Sequence, residues 1–366
     1  MQFIPEAVRT LASFALVLGV LVFIHEMGHY LAARWRGIHV EAFSIGFGRP
    51  IAAWTDSRGT EWRLCWLPLG GYVKLHGQEQ PADVTPEVRA SWIAGKTFHT
   101  KSVLSRAIVV AAGPIANFLL AIVLFAGLFA VQGAPGEAII ETVLPNTPAV
   151  AAELHPGDRI TAIGGKPVTR FTDVQAIISS SKPVPVQIAI VRTGQPMSIT
   201  VTPAEVDDGG GGKAIVLGIT GALQHVGLGQ AIVDGVTHTY DVAAQTLSGV
   251  AQIITGQRGT SGLGGPLKIA QISGRVAQNG VASMVSWIAL LSVNLGLINL
   301  FPIPILDGGH LVFYFLEALR GRPLPPRAQE YGFRAGLALI AFVFLFVTFK
   351  DLTSFGVFQW FAGLIG

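Results

Sequence analysis

Charge is scarce in this chain. Asp, Glu, Lys and Arg make up 13% of its 366 residues, roughly half the share carried by soluble domains. That shortage argues against a wholly water-solvated protein. The formal net charge is only +3, and no basic patch is interleaved with aromatics, so a nucleic-acid partner is excluded. Cysteine is rarer still. Cys65 stands alone, so no intrachain disulfide is possible and a reduced thiol is expected. Internal repeats and low-complexity tracts are also missing.

Apolar residues take the place of charge, at 51% of the chain. Four stretches are long enough to cross a bilayer: residues 7–35, 105–131, 284–300 and 333–349. The first could be mistaken for a signal peptide. Its only basic residue before His25 is Arg9, and the run leads into His25 without a small-residue cleavage site, so an uncleaved span is expected. Basic residues favour the cytoplasmic side. Arg34, Arg36, Arg49, Arg58, Arg63, Lys74, Arg89, Lys96, Lys101 and Arg106 lie between the first two spans or in their facing ends, and Arg320, Arg322, Arg327 and Arg334 between the last two or at the start of the fourth. Both termini, and the long segment 132–282, are therefore expected on the outer face.

The chemistry lies inside a span. His25, Glu26, Met27, Gly28 and His29 form a histidine-glutamate-x-x-histidine motif at the end of the first apolar run. On a helix, residues four apart share a face, so both imidazoles can close on one cation with Glu26 beside it. Zinc fits best, and a catalytic zinc needs a third protein ligand while leaving a fourth position open. The third span ends in Asn299-Leu300-Phe301-Pro302-Ile303-Pro304-Ile305-Leu306-Asp307-Gly308-Gly309-His310. Prolines 302 and 304 must interrupt the helix there, and broken backbone at membrane depth is tolerated only where protein or a water-filled cavity satisfies it. Asp307 is the expected third ligand. Depth agrees, because about 21 Å of helical rise separates Leu11 from His25 and about 22 Å separates Met284 from Asn299.

Composition becomes that of a soluble domain over 132–282. Strand-like runs at 138–144, 159–163, 184–192 and 198–203 alternate with Gly and Pro turns, and residues 172–179 read as a helix. Residues 207–212 read as a flexible turn, 214–219 as a closing strand, and 231–254 as a helix on the membrane or packed under the domain. Pro266 and its neighbouring glycines then break the chain. Asn146-Thr147-Pro148-Ala149, Leu154-His155-Pro156-Gly157-Asp158-Arg159-Ile160 and Ile163-Gly164-Gly165-Lys166-Pro167-Val168 resemble a bacterial PDZ domain. Such domains add an extended peptide to a sheet edge and often capture its C-terminal carboxylate. By analogy the groove is expected near 136–143. Glu153 stands where that family usually has glycine.

Together with Gly46-Phe47-Gly48, Gly70-Gly71-Tyr72-Val73-Lys74-Leu75-His76-Gly77 and Ala112-Gly113-Pro114-Ile115-Ala116-Asn117-Phe118, the two metal motifs resemble the site-2 protease family, in its bacterial, PDZ-containing form. The match spans nearly the whole chain. One departure is the PDZ count, since there is room for one domain where well-known enterobacterial relatives have two. The fold class implied is a polytopic α-helical membrane protein with four transmembrane helices, a re-entrant β-hairpin and an inserted α/β PDZ domain. The expected divisions are 1–131 for the first two helices and the re-entrant loop, 132–222 for the PDZ domain, 223–282 for membrane-associated linker helices, and 283–366 for the last two helices.

The resemblance implies His25, His29 and Asp307 as ligands to one Zn2+ per chain, with Glu26 as the catalytic carboxylate. Asn299 and Gly70, Gly71, Tyr72 and Val73 are expected to hold substrate. The implied activity is a zinc endopeptidase cutting single-span membrane proteins, of anti-sigma factor or remnant signal peptide type, in regulated intramembrane proteolysis. Implied partners are such substrates after a site-1 cut, peptide C-termini at the PDZ domain, and the lipid bilayer. The implied setting is the bacterial inner membrane, with termini and PDZ domain periplasmic. A competing reading is a membrane-tethered PDZ scaffold or chaperone with a non-catalytic metal site, but an intact Glu26 weighs against it. His310 reads either as a residue orienting Asp307 or as an interfacial residue. His39, His76 and His99 read as solvated loop residues, Gly113, Pro114 and Asn117 as helix packing, and Trp54, Trp62, Trp66, Trp92 and Trp360 as interfacial anchors.

Overall fold

A computed structural model describes residues 5–79, 84–207, 213–257 and 264–354. Trp360 and the glycine turn at 209–212 lie outside them. The chain divides into two compact units, residues 1–124 with 265–366, and residues 125–264.

The first unit is built on four long apolar helices: α1 (Glu6–Trp35), α3 (Val103–Gln132, whose last turns belong to the second unit), α8 (Val281–Leu300) and α10 (Pro326–Ser354). These are the four spans read from hydropathy, the first three within three residues of the expected length and α10 longer at both ends. Thirty helical residues rise about 45 Å, ample for a ~30 Å hydrocarbon core. Apolar side chains such as Leu11 and Leu16 on α1 and Phe342 and Leu345 on α10 point outward, as helices facing lipid require. Inward, Val17 and Leu21 of α1 pack on Ile288 of α8, with Leu120 and Leu124 of α3 alongside. Close approach of α1 and α3 depends on glycine, because a Cβ at Gly28 would fall within 3.0 Å of the Ala112 carbonyl.

Between α1 and α3 lies a long antiparallel hairpin, β1 (Val40–Thr55) and β2 (Glu61–Leu75), followed by the short α2 (Pro86–Ala90). Each strand bends. Residues 50–55 pair with 61–65, while residues 42–45 pair with 61–64 on one side and with 71–74 on the other. Gly46, with φ +85, makes the bend in β1, since a Cβ there would lie 2.6 Å from the Leu67 carbonyl oxygen. Segment 71–75 thus forms an outer edge with no further strand paired to it among the described residues. The hairpin far exceeds the 70–77 loop expected from sequence. It seals onto α1 and α3 through Tyr30, Ala33, Ile38, Val40, Phe43, Leu75, Phe98 and Val109.

Two of the longer helices were not placed individually from the sequence. α7 (Pro266–Val276) begins where a chain break was expected, with Pro266 in its first turn, a position where a missing N–H costs nothing. Asp351 of α10 accepts from the backbone N–H groups of Gly265 (3.1 Å) and Lys268 (3.0 Å), capping that helix start. α9 (Asp307–Arg320) follows the proline turn after α8.

The second unit contains β3 (Ala134–Val143), α4 (Pro148–Ala151), β4 (Arg159–Ile163), β5 (Lys166–Pro167), α5 (Phe171–Ser179), β6 (Val186–Arg192), β7 (Gln195–Val201), β8 (Ala204–Asp207), β9 (Lys213–Val216), β10 (Ile219–Gln224) and α6 (Leu228–Ile254). Its sheet runs β10-β3-β4-β6-β7, with β5 beside β4. Ile140, Ile160, Ile163, Val174, Ile188 and Ile190 form the core. Two expectations are corrected. The closing strand of the sheet is β10, whereas 213–216 pairs with β8 in a separate ribbon. And β3 is flanked by β10 and β4, so residues 136–143 offer no free edge; the edge belongs to β10. Helix α6 packs on the domain, with Asp234 almost buried and accepting from Arg170 Nη1 at 2.8 Å.

Candidate metal centre

His25 and His29 sit one turn apart on α1, their rings edge to face at 4.8 Å between centroids. Their Nε2 atoms are 3.2 Å apart. Asp307, the first residue of α9, places Oδ2 3.2 Å from His25 Nε2 and 3.5 Å from His29 Nε2. Three donors around a tetrahedral zinc at 2.0–2.1 Å would be separated by about 3.3 Å, so the triangle has the size that ion needs. The lone pairs converge too. His29 Nδ1 donates to the Val109 carbonyl at 2.8 Å, which leaves its Nε2 unprotonated toward the cluster. Asp307 Oδ2 is buried and accepts no hydrogen bond from the described residues. A buried orphan carboxylate oxygen facing two imidazole nitrogens fits a cation.

Local sequence explains how Asp307 arrives there. Helix α8 ends at Leu300 because Pro302 and Pro304 cannot continue it. The turn folds tightly enough that a Cβ at Gly308 would fall within 3.0 Å of the Leu300 and Phe301 carbonyls, and one at Gly309 within 3.0 Å of Ile303 and Pro304. Two glycines after Asp307 let the new helix start against the old one. The carboxylate also occupies the positive end of α9, a favourable place for negative charge. Arg106 of α3 anchors the same helix through Glu317, at 2.6 Å and 3.2 Å, and stacks over Tyr314.

A cavity of about 870 Å³ opens onto the cluster, lined by His25, Glu26, His29, Asp307, Asn299 and Tyr72 among others. Glu26 lines it without joining the set of converging donors, an arrangement suited to proton transfer rather than ligation. Of the residues expected to hold substrate, Asn299, Gly71, Tyr72 and Val73 all face this space. Gly71 is pressed so close that a Cβ would come 3.2 Å from Glu26 Cγ and 2.6 Å from the Ser44 carbonyl. Gly70 instead abuts the Phe47 ring and is not among the cavity's lining residues. Tyr72 is held by Arg63 Nη1, which donates to its hydroxyl at 3.0 Å.

Several assignments read from sequence change. His310 lines the cavity, its ring 5.3 Å from that of Phe333. His76 is buried, bonded to Glu41 at 2.7 Å while its Nε2 accepts from the Ile93 N–H at 2.9 Å, and clamps the hairpin base. Cys65 is free and buried on β2. The larger omission is α3. Val109, Gly113 and Asn117 all touch the two histidines. A polar Asn117 within a span was the available signal.

The sequence profile of Peptidase family M50 matches residues 13–343. Among similar proteins is one from Rhizobium meliloti (strain 1021), provisionally named a zinc metalloprotease, 40% identical over 94% of this chain and 96% of its own length. Another, from Agrobacterium fabrum and likewise provisionally named, is 41% identical over 93% and 95%. Metalloprotease MmpA of Caulobacter vibrioides is 37% identical over 97% and 98%. Similar solved structures include the PDZ domain of an SdrC-like protein from Listeria monocytogenes, 23% identical over 24% of this chain and 90% of that one, with a TM-score of 0.21. Full-length similarity of this kind, joined to four apolar helices, makes the chain a multi-pass membrane zinc metalloendopeptidase, and it belongs to peptidase family M50, the site-2 proteases.

Proposed function

We propose that this metalloendopeptidase cuts single-span membrane proteins within or near their membrane segment, using one zinc held by His25, His29 and Asp307. The observation that carries this is the unpaired strand edge at 71–75, set beside Glu26 in the cavity that holds the three donors. A transmembrane helix hides its peptide bonds, so it must unwind into an extended form before hydrolysis. An unpaired strand edge offers backbone partners to such a segment. Asn299 supplies a side-chain amide in the same space, able to donate to a substrate carbonyl and accept from an N–H.

When bound, zinc supplies Lewis-acid polarisation of the scissile carbonyl and acidification of a water. Glu26, in the same cavity, would serve as the proton carrier, taking a proton from the attacking water at its carboxylate and returning it to the leaving amine as the C–N bond breaks. His29, fixed by Val109, and Asp307, fixed by the proline turn, hold their donors still throughout. The hairpin enters the bilayer from the cytoplasmic side in this reading, and the 134–224 domain is a PDZ module on the outer face of the bacterial inner membrane. Gly218, at φ +82, precedes the free β10 edge, a position suited to capturing a peptide C-terminus after a first protease has cut. Regulated intramembrane proteolysis of anti-sigma factors or remnant signal peptides follows from that order of cuts.

The test is cleavage of truncated single-span proteins by purified enzyme in detergent, with product ends mapped. Cuts inside the membrane segment, removed by chelation and restored by zinc, support the proposal. Cuts confined to soluble loops would refute it.

A further inference from the structure

The Asn117 side chain is fully buried in α3, 3.2 Å from His25 Nδ1. Its backbone carbonyl accepts from Ser292 Oγ of α8 at 2.8 Å, and that serine is fully buried as well. Asn117 is therefore held from both sides, its backbone carbonyl by α8 and its side chain against the imidazole on α1. As oriented, the amide nitrogen faces His25 and the amide oxygen, Oδ1, is buried without a partner. Nitrogen and oxygen of an amide have the same shape, and their assignment follows from the hydrogen-bond network.

That network favours the reverse orientation, on the reading that His25 binds zinc through Nε2. A neutral imidazole carries one N–H, so a bare Nε2 requires the proton on Nδ1. Nδ1–H needs an acceptor, and Asn117 is the side chain placed to provide it. His29 is already arranged this way, its Nδ1 donating to the Val109 carbonyl. We infer that Asn117 is a positioning residue that accepts the His25 Nδ1 proton through Oδ1, fixing the tautomer that presents Nε2 to the metal. Helix α3 thereby supplies the outer partner of both histidines, about two turns of one helix serving two ligands. Packing alone does not account for a buried carboxamide here, because an apolar residue of that size would fill the space without a desolvation cost.

The experiment measures zinc affinity of the full-length chain in detergent by competition with a chromogenic chelator, with Asn117→Leu and Asn117→Asp compared to wild type. Aspartate keeps the shape and can only accept, so Asn117→Asp should bind zinc within a few-fold of wild type. Asn117→Leu should bind about 10–100-fold more weakly, as expected when an outer partner of a ligand is lost. Wild-type affinity in Asn117→Leu would overturn the inference, and so would equal weakening in both variants, which would mark a need for the amide N–H that both lack rather than for an acceptor. If Asn117→Leu does not accumulate in the membrane, Asn117→Asp decides alone: retained affinity sustains acceptance, and lost affinity overturns it. His25→Ala is measured alongside. Unchanged zinc binding in that variant would refute the three-residue zinc site itself, a failure distinct from that of the Asn117 assignment.

Discussion

Gly113 stands directly against His29: a Cβ at position 113 would come within 3.0 Å of both Nε2 and Cε1 of that ring, and 2.9 Å from Cε1 of His25. The imidazole cannot swing aside, because its other nitrogen is tied to Val109. Helix α3 thus offers the two histidines a bare backbone surface, and the ligand geometry is moulded on it.

Gly113→Ala should therefore harm the enzyme although alanine is the better helix former. Overpacking of this kind costs about 1–3 kcal/mol, against roughly 1 kcal/mol gained in helix propensity. Zinc affinity and thermal stability in detergent should both fall. Gly127→Ala on the same helix meets nothing within 4 Å and should leave both unchanged or slightly improved.

Glu26→Gln removes the proton acceptor but none of the converging donors. Cleavage should drop by about 10²–10⁴-fold, while metal analysis still finds zinc at wild-type stoichiometry. Asp307→Asn should lose both zinc and cleavage. A cleaving Glu26→Gln enzyme would remove the carboxylate from the mechanism.

Glu317→Gln tests how α9 is held. Arg106 and Glu317 side chains are 14% and 12% exposed, so breaking the pair leaves a poorly solvated guanidinium and should destabilise the fold by up to about 3–5 kcal/mol. Because α9 begins at Asp307, zinc affinity should weaken with it. Arg106→Met combined with Glu317→Leu should recover much of the stability, since apolar replacement of such pairs is often neutral.

Acid should loosen the second unit through Asp158. Burial pushes its carboxyl up, but hydrogen bonds from Arg192 (2.7 and 2.8 Å) and from the His155 N–H (2.9 Å) outweigh it, and the group is held below its ordinary value. A carboxyl lowered in the folded state stabilises that state above its unfolded pKa of about 3.9, and the stabilisation fades as pH falls toward the folded value. The hydrogen-exchange protection of segment 159–192 in the full chain, normalised to the intrinsic rate at each pH, should fall below about pH 4. Arg192→Leu should raise the onset of that fall toward neutral pH and leave the first unit's exchange unchanged.

Much of this was legible in the chain because it rests on short-range rules. Hydropathy located the four spans to within a few residues, except that α10 starts seven residues earlier, at Pro326. The i,i+4 spacing placed His25 and His29 together, and the proline turn marked Asp307. Strand alternation found β4 to the residue. The hairpin was under-read, since its first strand is a curled, half-exposed segment without clean alternation. Helix α7 was missed because Pro266 signals a break and a helix start alike. The peptide edge was assigned to β3 because sheet neighbours depend on which distant strand closes the sheet.

Residue types and their spacing along single helices determined the membrane architecture, the pair of imidazoles and the carboxylate beside them, because a helix converts sequence separation directly into facing direction. Only tertiary structure decided what surrounds them. That residues 71–75 would present an open edge beside Glu26 depends on how the hairpin packs against α1, and that α3 would bring Val109, Gly113 and Asn117 against α1 and Asp307 would return to the depth of His25 depends on helices crossing at glycines. Such crossings join positions about eighty or more residues apart, and local sequence carries no record of that distance being closed.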